Sequence, residues 1–200
     1  MRGKPFIFSA PSGTGKTTIT RALLARFDHL VLSVSTTTRS PRGAEEDGVA
    51  YHFVDRTTFE ARVAAGQMLE WAEVHGNLYG TDAAFVEAEL AAGHNVLFDI
   101  DVQGGHQLRD ALPESVLLFL LPPSYAELER RLRARGTDSD LEIERRLGVA
   151  RAEARAALDY DVFVVNDALD SAIDRCAEVL CSVALEKTGL ATAQAFVNTD

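Results

Sequence analysis

The stretch Phe6-Ile7-Phe8-Ser9-Ala10-Pro11-Ser12-Gly13-Thr14-Gly15-Lys16-Thr17-Thr18 constrains this chain more than any other. A short apolar run stops at a loop of small residues, and a helical pattern starts at once after it. A strand passing into a helix through so short a loop turns consecutive backbone N–H groups toward one point. The helix N-terminus adds partial positive charge there. This is the sequence form of a phosphate-binding loop. The expected cradle for a polyphosphate is Ala10, Pro11, Ser12, Gly13, Thr14, Gly15, Lys16, Thr17 and Thr18. Lys16 brings a point charge to the terminal phosphates, and Thr17 offers a hydroxyl to Mg2+. The strict pattern has glycine at position 10, where this chain has Ala10. Gly13 and Gly15 stand where the loop must turn tightly.

Five apolar runs read as strands buried on both faces: 6–10, 30–34, 96–100, 116–121 and 162–165. Helical patterns over 16–27, 82–92, 125–135, 141–158 and 169–187 separate most of them. This alternation predicts an α/β fold: a parallel five-stranded sheet of the P-loop NTPase type, flanked by helices. Two stretches break the rhythm. Residues 35–81 combine apolar/polar alternation with one helix near 57–66, which predicts a small mixed β insertion. Residues 128–159 form a polar helical pair broken at Arg135-Gly136-Thr137, which reads as a lid. Residues 1–34, 82–127 and 160–200 then make the core, with a weakly patterned, loosely attached tail from Gly189. A lid over a phosphate loop suits phosphoryl transfer, because closure keeps out competing water.

With 200 residues, 46% of them hydrophobic, the chain can bury one substantial core. Its net charge of −10 argues against a general nucleic-acid or anionic-membrane binder. Yet eight of its seventeen arginines fall in 130–155, against five acidic residues there. That local excess marks either an anion site or a solvated helix laced with i,i+4 ion pairs. The two cysteines, Cys176 and Cys181, sit five apart on one predicted helix, where they diverge. They imply no disulfide framework and suit a reducing compartment. No run is apolar enough to span a membrane, and the residues before the first strand are too few for a signal peptide. The expected location is cytoplasmic.

Asn95-Val96-Leu97-Phe98-Asp99-Ile100-Asp101 is an apolar strand ending in carboxylates. Strand ends of a parallel sheet face the ligand crevice, so Asp99 is placed to reach Mg2+ through its water shell. With that motif, the chain resembles the guanylate kinase family over nearly its whole length. The likeness rests on the phosphate loop; on Ser33-Val34-Ser35-Thr36-Thr37-Thr38-Arg39-Ser40-Pro41-Arg42; on Asp47-Gly48-Val49-Ala50-Tyr51-His52-Phe53; and on Glu70-Trp71-Ala72-Glu73-Val74-His75-Gly76-Asn77-Leu78-Tyr79-Gly80-Thr81. It continues through Asp99-Ile100-Asp101-Val102-Gln103-Gly104, Leu121-Pro122-Pro123-Ser124, Arg133-Ala134-Arg135-Gly136-Thr137 and Val165-Asn166-Asp167.

The resemblance implies transfer of the γ-phosphoryl of ATP to GMP with Mg2+. It implies that Arg39, Arg42, Tyr51 and Tyr79 hold the GMP phosphate, with forked guanidinium donors and phenolic hydroxyls suited to a dianion. Glu70 and Asp101 match the acids that read guanine, whose N1–H and N2–H2 both donate. Adenine, with an acceptor at N1, would leave such a carboxylate unpaired. Ser35 matches a donor to O6, and Thr81 a neighbouring hydroxyl. Arg135 and Arg146 match lid arginines that offset developing charge, with Lys16, Arg39 and Asp99 completing the expected catalytic set and Arg131 a weaker candidate. Asn166 matches a residue near the adenine of ATP. The metal is expected on Thr17 and Asp99, the latter through water. No general base is needed, because the accepting phosphate is already ionised.

Two departures from the family pattern, Ala50 before Tyr51 and Leu78 before Tyr79, are expected to tune affinity. A non-catalytic interaction module of the same fold is disfavoured by the intact Gly15-Lys16-Thr17. A kinase of phosphorylated sugars is disfavoured by the set Ser35, Glu70 and Asp101.

Overall fold

A computed structural model describes residues 2–74, 76–134, 136, 138–182 and 188–199. The chain runs through β1 (Pro5–Ser9), α1 (Lys16–Arg26) and β2 (Leu30–Leu32) into a separate small sheet. That sheet comprises β3 (Thr36–Thr37), β4 (His52–Phe53), β5 (Met68–Val74) and β6 (Asn77–Asp82), with α2 (Arg56–Ala64) between β4 and β5. The main layer resumes with α3 (Ala83–Ala92), β7 (Asn95–Asp99), α4 (Val102–Ala111) and β8 (Val116–Leu121). It ends with α5 (Tyr125–Ala134), α6 (Asp140–Ala156), β9 (Val162–Val165), α7 (Leu169–Cys181) and α8 (Leu190–Val197).

The main sheet has the order β2-β7-β1-β8-β9, and every pairing is parallel. Its apolar runs divide their side chains between two cores. On β8, Leu117, Phe119 and Leu121 enter one cluster, with α3, α4 and α8, while Val116, Leu118 and Leu120 enter the other, with α1 and α7. Period-two alternation inside an unbroken apolar run is what a strand covered on both faces requires. The insertion is mixed as expected: β3 pairs β4 in parallel, whereas β6 pairs both β3 and β5 antiparallel. Caps fix the helices that frame the site. Asp82, Asp55 and Asp101 each accept from a backbone N–H in the first turn of α3, α2 and α4.

Three sequence readings change. The tail is not loose: α8 sends Ala193 and Phe196 into the main core, where Phe196 lies against Tyr125 with ring centroids 4.3 Å apart. A further helix, α4, follows β7. Its Gly104-Gly105 pair hides it from propensity but is required by packing, because a Cβ at either position would strike Ile100 or the Tyr160 hydroxyl. The last predicted helix ends at Cys181, with Cys176 buried and Cys181 exposed, and residues 183–187 lie outside the described set. No helix among the described residues is long and apolar enough to cross a membrane.

Helix α6 belongs to two units. Ile143 and Ala150 pack with Leu128 and Leu132 of α5 in a small cluster of their own. One turn later, Ala154 and Ala157 lie in the main core beside Tyr160, whose hydroxyl is 2.9 Å from the buried Ser9 hydroxyl. Gly105→Ala is expected to cost about 1–3 kcal/mol by overpacking against Tyr160. Urea denaturation should show a lower midpoint with unchanged slope, and Tyr160→Phe in the same chain should recover part of the loss. An unchanged midpoint would contradict this packing.

Candidate active site

The carboxyl ends of β1 and β7 are neighbours, with Phe8 in register with Asp99. The loop leaving β1 therefore faces the acid ending β7. Gly13 and Gly15 adopt φ of 96° and 102°, the left-handed region that favours glycine. Gly15 is also the residue preceding α1 and has no side chain to cap the helix, so the first-turn N–H groups stay available to an anion. Ala10, Pro11, Ser12, Gly13, Gly15, Lys16, Thr17 and Thr18 line a cleft of about 340 Å3, and Thr14 is buried behind it. Ala10 takes its place in this lining and packs against the core cluster on the α1 side of the sheet.

Lys16 is held rather than free. Its Nζ is 2.6 Å from Asp99 Oδ1 and donates to the carbonyl of Ile100 at 3.2 Å. Asn166, immediately after β9, donates from Nδ2 to the Thr14 carbonyl at 2.7 Å. It thus braces the phosphate loop from behind. Arg131 reaches the same place from α5, donating to the carbonyls of Thr14 at 3.4 Å and Asn166 at 3.0 Å. Thr17 is exposed at the cleft. Thr17 and Asp99 offer hard oxygen donors, and among the described residues no group of three metal-ligating side chains occurs. That donor set fits Mg2+, which takes few protein ligands and completes its shell with water and phosphate oxygens.

A second cluster forms in the small sheet. Arg39, 9% exposed, donates from Nη2 to both Glu45 oxygens at 2.9 Å, and its guanidinium lies 5.2 Å from the Tyr51 ring centroid. Tyr51 and Tyr79 meet edge to face at 5.8 Å. Glu45 also accepts from the Arg42 backbone N–H at 2.8 Å, while the Arg42 side chain is exposed. The hydrogen bond from Arg39 holds the Glu45 carboxyl below its ordinary pKa. Of the two departures, Leu78 is buried with its backbone bonded by Thr37 and Thr38, and Ala50 sits in a turn bonded to Glu46.

The third cluster reads as a recognition edge. Glu70 and Thr81 are partners across β5 and β6, and the Thr81 hydroxyl donates to Glu70 Oε1 at 2.7 Å. Glu70 is 5% exposed. Burial, and secondarily the charge of Asp101, raises its pKa to about 7 against the hydrogen bond from Thr81. Asp101 is exposed and uses Oδ1 to accept from the Gly104 N–H at 2.8 Å. Ser35 is half-buried, and its carbonyl accepts from the His52 N–H at 2.9 Å.

The arginine-rich segment resolves mostly into ion pairs. Arg130 and Arg131 share Glu127, Arg133 pairs with Glu129 and Asp140, and Arg145 pairs with Glu142. Hydrogen bonds from Arg130 and Arg131 lower Glu127 to about 2. Arg146 is tied to Asp138 at 3.1 Å and to Glu142 at 3.4 Å, so its charge is already matched on the lid. Arg135 lies outside the described residues.

Sequence reasoning passed over two acids. Glu45, three residues after Arg42, was readable as a partner for the arginine pair. Glu153 lines the phosphate cleft from α6, two turns beyond Arg146 and on the same helix face. Burial raises its pKa to about 7, with a further push from Asp101 and an opposing pull from Lys16.

The family model for guanylate kinase matches residues 2–183. A guanylate kinase of Oleidesulfovibrio alaskensis is 50% identical over 186 residues, covering 93% of this chain and 90% of its own. One from Anaeromyxobacter dehalogenans is 54% identical over 173 residues, or 86% and 76% of the two chains. The crystal structure of guanylate kinase from Anaplasma phagocytophilum superposes with a TM-score of 0.71 at 32% identity, covering 90% of this chain and 85% of that one. A match of this extent, over the core, the small sheet and the lid alike, makes the chain a member of the guanylate kinase family.

Proposed function

We propose that this enzyme transfers the γ-phosphoryl group of ATP to GMP, giving ADP and GDP, with Mg2+ and in the purine nucleotide metabolism of the cytoplasm. The observation that carries the reading is the pairing of two anion sites of different kind on one chain. A phosphate loop with Lys16 stands at the end of β1, and in the small sheet a buried Arg39 stands beside Tyr51, with the carboxylate of Glu70 held by Thr81 in the same sheet.

The roles follow from the chemistry of each group. The loop N–H groups and Lys16 hold the polyphosphate of ATP; Arg131 and Asn166 keep the loop in shape from behind. Bound at Thr17 and near Asp99, Mg2+ would neutralise charge on the phosphates. Arg39 and Arg42 grip the GMP phosphate with the two tyrosine hydroxyls, bringing two anions together that repel in water. An ionised Glu70 accepts from guanine N1–H and N2–H2, with Asp101, Ser35 and Thr81 around the same edge. Closure of 128–159 brings Arg135 and Arg146 toward the transferred group, which for Arg146 requires exchanging its acid partners for phosphate.

A coupled ADP-release assay separates this reading from its competitors. ADP should form with GMP and not with AMP or sugar phosphates. Release without nucleotide discrimination, or none with folded protein, would refute it. Lys16→Ala should lower turnover at least about 100-fold while GMP still binds.

Glu70 supplies a pH signature. Its ordinary pKa of 4.5 is raised to about 7, so the folded, ligand-free chain keeps its proton through a range where the unfolded chain has lost it. Stability from this group is therefore full below about 4.5 and is lost as pH rises through 7. Guanine binding has the opposite sign, because it needs the carboxylate. Guanosine affinity, which avoids the titrating phosphate, should fall toward tenfold per unit below pH 7. Glu70→Gln should flatten that slope, weaken guanosine and relax the preference over adenosine; an unchanged slope would remove Glu70 from base reading.

A further inference from the structure

Glu153 stands in the wrong place for an ordinary surface acid. It projects from α6 into the cleft formed by Lys16, Thr17 and Thr18. It also lines the adjoining groove of about 410 Å3 with Asp101, Gln103 and His106. The side chain thus stands on the partition between the donor cradle and the acceptor side. Its carboxylate feels the charges of Asp101 and Lys16 but accepts no hydrogen bond among the described residues. Two acids in the first turn of α6 do otherwise, Asp140 being paired with Arg133 and Glu142 engaged by both Arg145 and Arg146.

A carboxylate at that position opposes the purpose of the cleft. The loop N–H groups and Lys16 attract polyphosphate, and a negative charge lining the same cleft repels it. Three things could reconcile the two: withdrawal of the side chain, its neutralisation, or a cation between it and the phosphates. Withdrawal is restricted, because Ala154 and Ala157, which follow it on the helix, are buried in the main core at 1% and 0% exposure. The segment is therefore fixed to the sheet while the first turns of α6 pack only on α5. Burial already favours the neutral carboxyl without nucleotide, and when ATP enters, the cation that it carries can partner the ionised form. Mg2+ keeps several of its waters when bound to a protein, and those waters donate strongly to carboxylates.

Resting on the kinase reading, we propose that Glu153 is a positioning residue for the metal–nucleotide complex. It accepts hydrogen bonds from the water shell of the nucleotide's Mg2+ on the side of α6, opposite Thr17 and Asp99. The metal thereby becomes the bridge between α6 and the phosphate loop, and the carboxylate discriminates against nucleotide that arrives without metal. Glu153 makes no bond in the transfer itself.

The proposal predicts opposite effects of one substitution on two affinities. Glu153→Gln keeps the shape and removes the charge. Binding of the β,γ-imido analogue of ATP is measured by calorimetry with Mg2+ and with EDTA. In Glu153→Gln the metal-free analogue should bind more tightly than in the unaltered chain, and the gain in affinity on adding Mg2+ should shrink about tenfold, the scale of a hydrogen bond to a charged group. Glu153→Asp should restore part of that gain. A residue that only supports the fold would shift both affinities by one factor and leave their ratio alone. An unchanged ratio, with binding intact, overturns the proposal and leaves the kinase reading standing. Failure of the unaltered chain to bind the analogue under either condition overturns both.

Discussion

The two cations proposed to hold phosphate, Lys16 and Arg39, are paired in this structure with the protein's own acids. Lys16 is on Asp99 at 2.6 Å, and Arg39 is on Glu45 at 2.9 Å. The rest of the site depends on this arrangement. A buried or half-buried cation without a partner is costly, so an anion site needs something to hold its donors in position before the ligand arrives. A carboxylate does this and fixes the rotamer as well. Such a pair is a poor source of stability but a good means of preorganisation, because a phosphate brings more charge and more acceptor oxygens to the same donors. The pairing of Lys16 with Asp99 exists only because β1 and β7 are adjacent and parallel, so that both strands end at one edge of the sheet.

Much of this was legible in residue order. The phosphate loop, the apolar strand ending at Asp99 and the five buried runs each carry a strong local signal, since Gly13 and Gly15 answer a backbone need and the runs have strand length. Elements whose reason is tertiary were hidden. Helix α4 contains Gly104-Gly105 because Ile100 and Tyr160 come too close for a side chain, and two glycines read as a loop. Helix α8 is short and alanine-rich, and its place depends on Phe196 meeting Tyr125 from far away in sequence. Within the site, residue types were readable but their partners were not. Arg131 read only as a weaker lid candidate, yet it reaches Thr14 across 117 positions. Arg146 carried the stronger family signal, and the structure pairs it with Asp138 and Glu142.

Helix α6 connects the two halves of the account. Its beginning packs on α5 and its end is set into the core beside Tyr160, so the closure proposed above falls to its early turns and leaves Glu153 at the cleft. The arginine excess in this segment, which left an anion site and an ion-paired solvated helix both open, is largely paired with Glu127, Glu129, Asp140 and Glu142. Lid closure on this view is an exchange of partners, acid for phosphate, of the same kind that Lys16 and Arg39 undergo.

A crystal structure of the chain with ADP and GMP bound tests the central claim most directly. The account predicts Lys16 Nζ within hydrogen-bond distance, about 3 Å, of an ADP phosphate oxygen, Arg39 on the GMP phosphate, and guanine N1 and N2 donating to Glu70. A complex in which Lys16 keeps Asp99 as its sole acidic partner, or in which guanine lies away from Glu70, would contradict it.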